Sequence, residues 1–254
     1  MVQTIVMTSD GKEKIVRGFL HQWEKYWGDD HLPLFCGFTP MDVKNFYSIG
    51  SFADYPAGRW SDALIKVLDE VAEEVFILLF DDYWLVRDVD MKAINIIADY
   101  MHQFQNVIRF DLTTDRLYSS FGSFSPEVQA IIAQGHIIAN QFYFGYNTYN
   151  TASYLDLIKS DSRSSYHLSL WGAMWRRDLL KRFIISGETA QQIELSGTNR
   201  LAQVGDEVLV LGTRQSPLNH ANVIQGGVWN QDSRVGLPAL IETDREELKG
   251  LGCI

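Results

Sequence analysis

The 254-residue chain holds only two cysteines and six prolines. Cys36 sits in the apolar run Leu34-Phe35-Cys36-Gly37-Phe38 and Cys253 is next to the last residue, so no disulfide framework exists and a reducing, cytoplasmic compartment is expected. No apolar run approaches the ~20 residues that span a bilayer. The opening Met1-Val2-Gln3-Thr4-Ile5-Val6-Met7 lacks the basic start and long apolar centre of a signal peptide. Basic residues are outnumbered 22 to 32, for a net charge of −10, and no basic stripe of the kind that binds nucleic acid is present. Also missing are a Gly-x-Gly-x-x-Gly loop, a Walker Gly-Lys-Ser/Thr, a His-Glu-x-x-His pair and a Gly-x-Ser-x-Gly elbow. Those absences set aside dinucleotide oxidoreductases, P-loop enzymes, zinc peptidases and α/β-hydrolases. With no internal repeat and no linker, residues 1–254 read as one domain, with a first half to residue 112 and a second from 113.

What is present is enough apolar material, 46%, for a sizeable core. Strands are expected over residues 2–7, 34–38, 75–80 and 107–112. Helices are expected over 12–27 (Ile15, Phe19, Trp23 and Tyr26 on one face), 59–73 and 90–104. This alternation predicts an α/β fold with a mostly parallel central sheet flanked by helices. The second half is mixed. Phe142–Tyr146 and His167–Trp171 read as a hairpin pair, 147–165 as a polar excursion, 177–183 and 189–201 as helices, and the tail from Ser216 as loop.

The densest chemical signal is Val75-Phe76-Ile77-Leu78-Leu79-Phe80-Asp81-Asp82, a strand apolar on both faces that runs into two carboxylates. Charge at the end of a dry strand is costly unless neutralised, and a divalent cation at the carboxyl edge of the sheet would do that. An aspartate pair also suits a solvated turn, but Tyr83-Trp84-Leu85 does not continue as one. Hard cations such as Mg²⁺ or Mn²⁺ take a few carboxylates together with phosphate oxygens, so a metal diphosphate is the natural ligand. His220, in Ser216-Pro217-Leu218-Asn219-His220-Ala221-Asn222, reads equally as a residue that completes such a site and as a solvated loop histidine. From spacing alone Glu194 reads as an exposed helical residue before it reads as a general base, and Trp171, Trp175 and Arg176 as core or as a sugar platform with a phosphate-facing cation.

Four pieces, taken in order, resemble GT-A glycosyltransferases, the nucleotide-sugar-dependent transferases of bacteria and viruses. They are Thr8-Ser9-Asp10 ending the first strand, Arg59-Trp60-Ser61 opening the helix that feeds the Asp81-Asp82 strand, Leu168–Leu180, and Gly187–Glu194. The resemblance implies a Rossmann-like single domain, a UDP- or GDP-sugar donor, a glycan or other hydroxyl acceptor, and Mn²⁺ or Mg²⁺. It implies donor contacts from Thr8, Ser9, Asp10, Trp60 and Asp81, and a metal held by Asp82, with His220 beside it. Trp171, Trp175 and Arg176 fall on the acceptor side, and Glu194 falls where inverting members carry their base. The metal triplet here is Phe80-Asp81-Asp82, without the first carboxylate of the Asp-x-Asp pattern, and Ala190-Gln191 stand where proline and tryptophan are usual. Two other readings stay open at this point: a sugar-phosphate nucleotidyltransferase, and a non-catalytic carbohydrate-binding protein.

Overall fold

The computed structural model of the protein describes residues 2–28, 31–38, 40–50, 60–113, 140–146, 155–160, 162, 164, 166–213, 215–233 and 235–254. In chain order the elements are β1 (Gln3–Met7), α1 (Glu13–Tyr26), β2 (Leu34–Gly37), β3 (Phe46–Ser48), α2 (Trp60–Glu70), β4 (Val75–Phe80), β5 (Tyr83–Leu85), α3 (Met91–Gln103), β6 (Val107–Asp111) and β7 (Asn140–Tyr146). They continue with β8 (Leu155–Ser160), β9 (Ala173–Arg176), α4 (Arg177–Phe183), α5 (Ala190–Val204), β10 (Leu209–Thr213), β11 (His220–Asn222), β12 (Ile224–Gln225), β13 (Val228–Trp229) and α6 (Glu242–Gly250). Two compact units share these elements, the first made of Gln3–Phe52, Leu78–Asp90 and Leu218–Ile254, the second of Met1–Val2, Ala53–Ile77 and Met91–Pro217.

In the first unit β1, β2 and β3 pair in parallel, with Ile5 opposite Leu34 and Cys36 opposite Tyr47. The core forms because β1 and β2 are buried along both faces and α1 lays Ile15, Val16, Phe19 and Trp23 inward at helical spacing. Phe19, Trp23, Phe35 and Trp84 are its largest buried side chains. The end of β4 lies beside the end of β1, where the Asp81 N–H donates to the Met7 carbonyl at 3.1 Å. β5 pairs antiparallel with β11, and β12 with β13 through a two-residue turn at Gly226 and Gly227, whose φ of +60° and +82° suit glycine.

In the second unit β6 pairs antiparallel with β9 and parallel with β10, and β8 pairs antiparallel with both β10 and β7. Arg176, on β9, is spent on this framework: its buried guanidinium reaches the carbonyls of Val107, Met101 and Phe104 and the side chains of Glu74 and Gln105. The architecture is therefore mixed α/β with sheet flanked by helices, consistent with a Rossmann-like fold, parallel in the early strands and mixed in the later ones. Among the described residues no helix is long and apolar enough to cross a membrane.

Several local expectations change. The antiparallel partner of β7 is β8, not residues 167–171, which form no strand. β8 lies inside the stretch read as a polar excursion, of which 147–154, 161, 163 and 165 fall outside the described residues, as does Arg59. The tail from Ser216 is not loop: it carries β11, β12, β13 and α6. Its strands are only two or three residues long and α6 is polar along most of its length, so neither leaves a periodic apolar signal.

Candidate functional site

The acidic corner is built by three segments of the first unit. β4 is dry along both faces, with Phe76, Ile77, Leu78 and Leu79 wholly buried, and its path ends in the turn Asp81-Asp82. The turn's backbone is held at three points. The Asp81 N–H goes to Met7, the Asp81 carbonyl accepts from the Trp84 indole at 3.1 Å, and the Asp82 carbonyl accepts from the Val223 N–H at 2.9 Å. Asp81 is 7% exposed and takes the Thr8 hydroxyl at 2.6 Å. Burial pushes the Asp81 carboxyl up to about 6, against the opposing pull of Thr8, the Lys12 ammonium and the Ser9 backbone. Asp82 goes up to about 7, through burial first and the neighbouring Asp81 charge second. Two carboxyls raised toward neutrality, Asp81 by desolvation and Asp82 by desolvation and the Asp81 charge, mark a candidate functional site.

Asn222 faces the same point and was missed in the sequence. With its amide nitrogen turned inward it donates to the Ile224 carbonyl at 2.6 Å and to Asp82 Oδ2 at 3.2 Å. That amide therefore ties Asp82 to the backbone of the 222–224 segment. The residue was hidden because 216–222 read as loop. As part of β11, His220 and Asn222 share a face, two residues apart. His220 lies opposite Leu85 in the β5–β11 ladder, its ring stacked on Tyr83 at 4.4 Å between centroids. Among the described residues no three His, Cys, Asp or Glu side chains converge on one point as a metal-binding group. Ser9 follows Thr8 half-buried and Asp10 is exposed, both at the carboxyl end of β1.

The second unit carries the other candidates. Trp60 opens α2, half-buried; the next residue, Ser61, exchanges two 2.9 Å bonds with Glu188, accepting from its N–H and donating its own N–H to the Glu188 carbonyl. Glu188 is itself gripped by Arg200 through both oxygens at 2.8 Å. Glu194 is half-buried on α5, a helix started by a Thr189–Gln192 capping box. One Glu194 oxygen accepts the Leu170 N–H at 2.7 Å. Trp171 is half-buried, and its carbonyl accepts from the buried Arg109. Trp175 is fully buried with the Arg109 guanidinium 5.5 Å from its ring centre, and Arg176 is 3% exposed. Neither of these two presents a face to a ligand.

No protein-family model matches the chain, and no curated protein matches it. Among solved structures, CMP:2-keto-3-deoxy-manno-octonic acid synthetase complexed with CTP aligns with a TM-score of 0.41 and 11% identity, over 83% of this chain and 88% of that one.

Proposed function

We propose that this protein is a GT-A-type glycosyltransferase that moves a sugar from a nucleoside-diphosphate donor to a hydroxyl of a glycan or similar acceptor. The observation that carries the reading is the Asp81-Asp82 turn, two dry carboxyls raised toward neutrality at the carboxyl end of the parallel strands. Asp82 would hold Mg²⁺ or Mn²⁺, with Asp81 behind it on Thr8 and the Asn222 amide donating to Asp82 Oδ2. The bound cation supplies Lewis-acid stabilisation to the departing diphosphate.

The residues of the chain do the remaining work. Thr8, Ser9 and Asp10 line the nucleoside end of β1, and Trp60 belongs to the donor side. Trp171 contributes to the acceptor side. Glu194 takes the proton of the acceptor hydroxyl as its oxygen bonds to the anomeric carbon and the bond to the diphosphate oxygen breaks, which inverts the centre.

The test is a melting-temperature series with UDP, GDP, CDP and TDP, each with and without Mn²⁺, followed by product analysis with the sugar nucleotides that bind. The expected result is a cation-dependent rise with one nucleotide and release of nucleoside diphosphate. Glu194→Gln keeps the rise and stops turnover. Release of pyrophosphate would instead make the protein a nucleotidyltransferase, and glycan binding with no nucleotide effect would make it a binding protein.

A further inference from the structure

We infer that Trp84 is the positioning residue of the acidic corner, and that Gly18 is the seat that lets it act. This rests on the reading of the Asp81-Asp82 turn as the cation-binding element.

The indole N–H of Trp84 is shared between two carbonyls, Asp81 on the turn and Ile15 in the first half of α1, each at 3.1 Å. The ring is wholly buried and lies directly on the helix backbone. A Cβ added at Gly18 would come within 2.2 Å of it, so no side chain other than hydrogen fits there. Trp229 meets the ring edge-on with centroids 6.0 Å apart, and across the β5–β11 ladder Trp84 faces the small Ala221. The ring is thus fixed by a helix, a second indole and a strand, and one N–H ties the acid turn to α1. With the Asp81 N–H on Met7 and the Asp82 carbonyl taking the Val223 N–H, the indole bond is the third tie on the turn, and it sets the direction of the peptide that joins the two carboxylate-bearing residues. Partners one step behind the ligands commonly govern metal affinity in this way.

A plain core role for Trp84 predicts something different, and Trp23 provides the control. It is also wholly buried in the same unit and its indole also donates to a carbonyl, that of His31 at 2.7 Å, away from the turn. Mn²⁺ binding to the full chain is measured by electron paramagnetic resonance titration, alongside urea unfolding without metal. Trp84→Phe should weaken Mn²⁺ binding about tenfold or more, while Trp23→Phe lowers stability and leaves Mn²⁺ affinity unchanged. Trp84→3-benzothienylalanine keeps the ring shape and removes only the N–H; it should reproduce the affinity loss with a near-normal unfolding midpoint, and it decides the matter if the phenylalanine variant does not fold. Wild-type Mn²⁺ affinity in the benzothienyl variant, or an equal loss in Trp23→Phe, overturns this inference alone. A wild-type chain that binds no Mn²⁺, or binds it unchanged after Asp82→Ala, overturns the cation reading and this inference with it.

Discussion

Asp244 and Asp82 belong to the same unit and have opposite chemistry. Asp244 is completely buried on α6, and burial alone would raise it. Hydrogen bonds from Lys25, Gln22 and Tyr26, all on α1, outweigh that and hold its carboxyl below the ordinary value. Burial also raises Asp82, and there the Asp81 charge adds to it and no cationic side chain bonds to it among the described residues, so it ends near neutrality. Burial is common to both; donors decide the outcome. A carboxylate that the fold has neutralised holds the fold together. One that the fold has dried without neutralising it is prepared for something that arrives from outside.

That contrast breaks most sharply in paired substitutions. Asp82→Ala should cut sugar transfer by roughly three orders of magnitude, the several kcal/mol a metal Lewis acid contributes; a donor-release assay at saturating Mn²⁺ measures it. Asp244→Ala should instead cost about 2 kcal/mol of stability in urea, because it leaves the buried Gln22 amide and the Tyr26 hydroxyl short of an acceptor while Lys25 keeps Glu247, with turnover per folded molecule unchanged. If the two effects are exchanged, the division between structural and functional acids is mistaken.

The pH dependence tests the same division with a definite sign. A folded-state value of about 6 for Asp81 lies above the ordinary 3.8, so the folded chain binds the extra proton. Stability from this group is therefore lost as pH rises from about 4 to 7, and the full penalty, about 3 kcal/mol for Asp81 alone, stands above pH 7. Calorimetric scans without metal should show this decline, saturating Mn²⁺ should remove it, and Asp82→Asn should reduce it. The seat of Trp84 supplies the last test: Gly18→Ala should cost about 3 kcal/mol in urea from overpacking, because a ring held on three sides cannot easily clear a Cβ 2.2 Å away, whereas alanine at an open helical position would be favourable.

The early fold was legible because its signals are local and strong. β4 was expected at 75–80 and is found there, and β1, α1, β2, α3 and β6 lie within a residue or two of expectation. Each has a two-faced apolar run or a clean helical stripe. β3 and β5 escaped because three residues carry too little pattern, and β5 pairs with β11, far along the chain. α6 escaped for another reason. Glu-Thr-Asp-Arg-Glu-Glu-Leu-Lys-Gly buries only Asp244 and Leu248, so the helix docks through a polar residue that no hydrophobic scan would select. The same limit applies to the candidate site. Asp81 and Asp82 stood out as charge after a dry strand, but Asn222 is recognisable only once β11 is known to lie against β5, bringing it to Tyr83 and the turn. Trp175 and Arg176 illustrate the converse, since aromatic and cationic residues that look suited to a sugar are occupied by the framework.

A routine stabilisation campaign on this protein would go astray at α1. Ranked by intrinsic helix preference, Gly18 is the weakest link of that segment, and replacing such residues is standard practice worth up to ~1 kcal/mol each. Here the gap left by its missing methyl is where an indole rests, one bond from the acid turn. A ranking by helix preference alone would misjudge this position, because the local weakness is what gives the acid turn its brace.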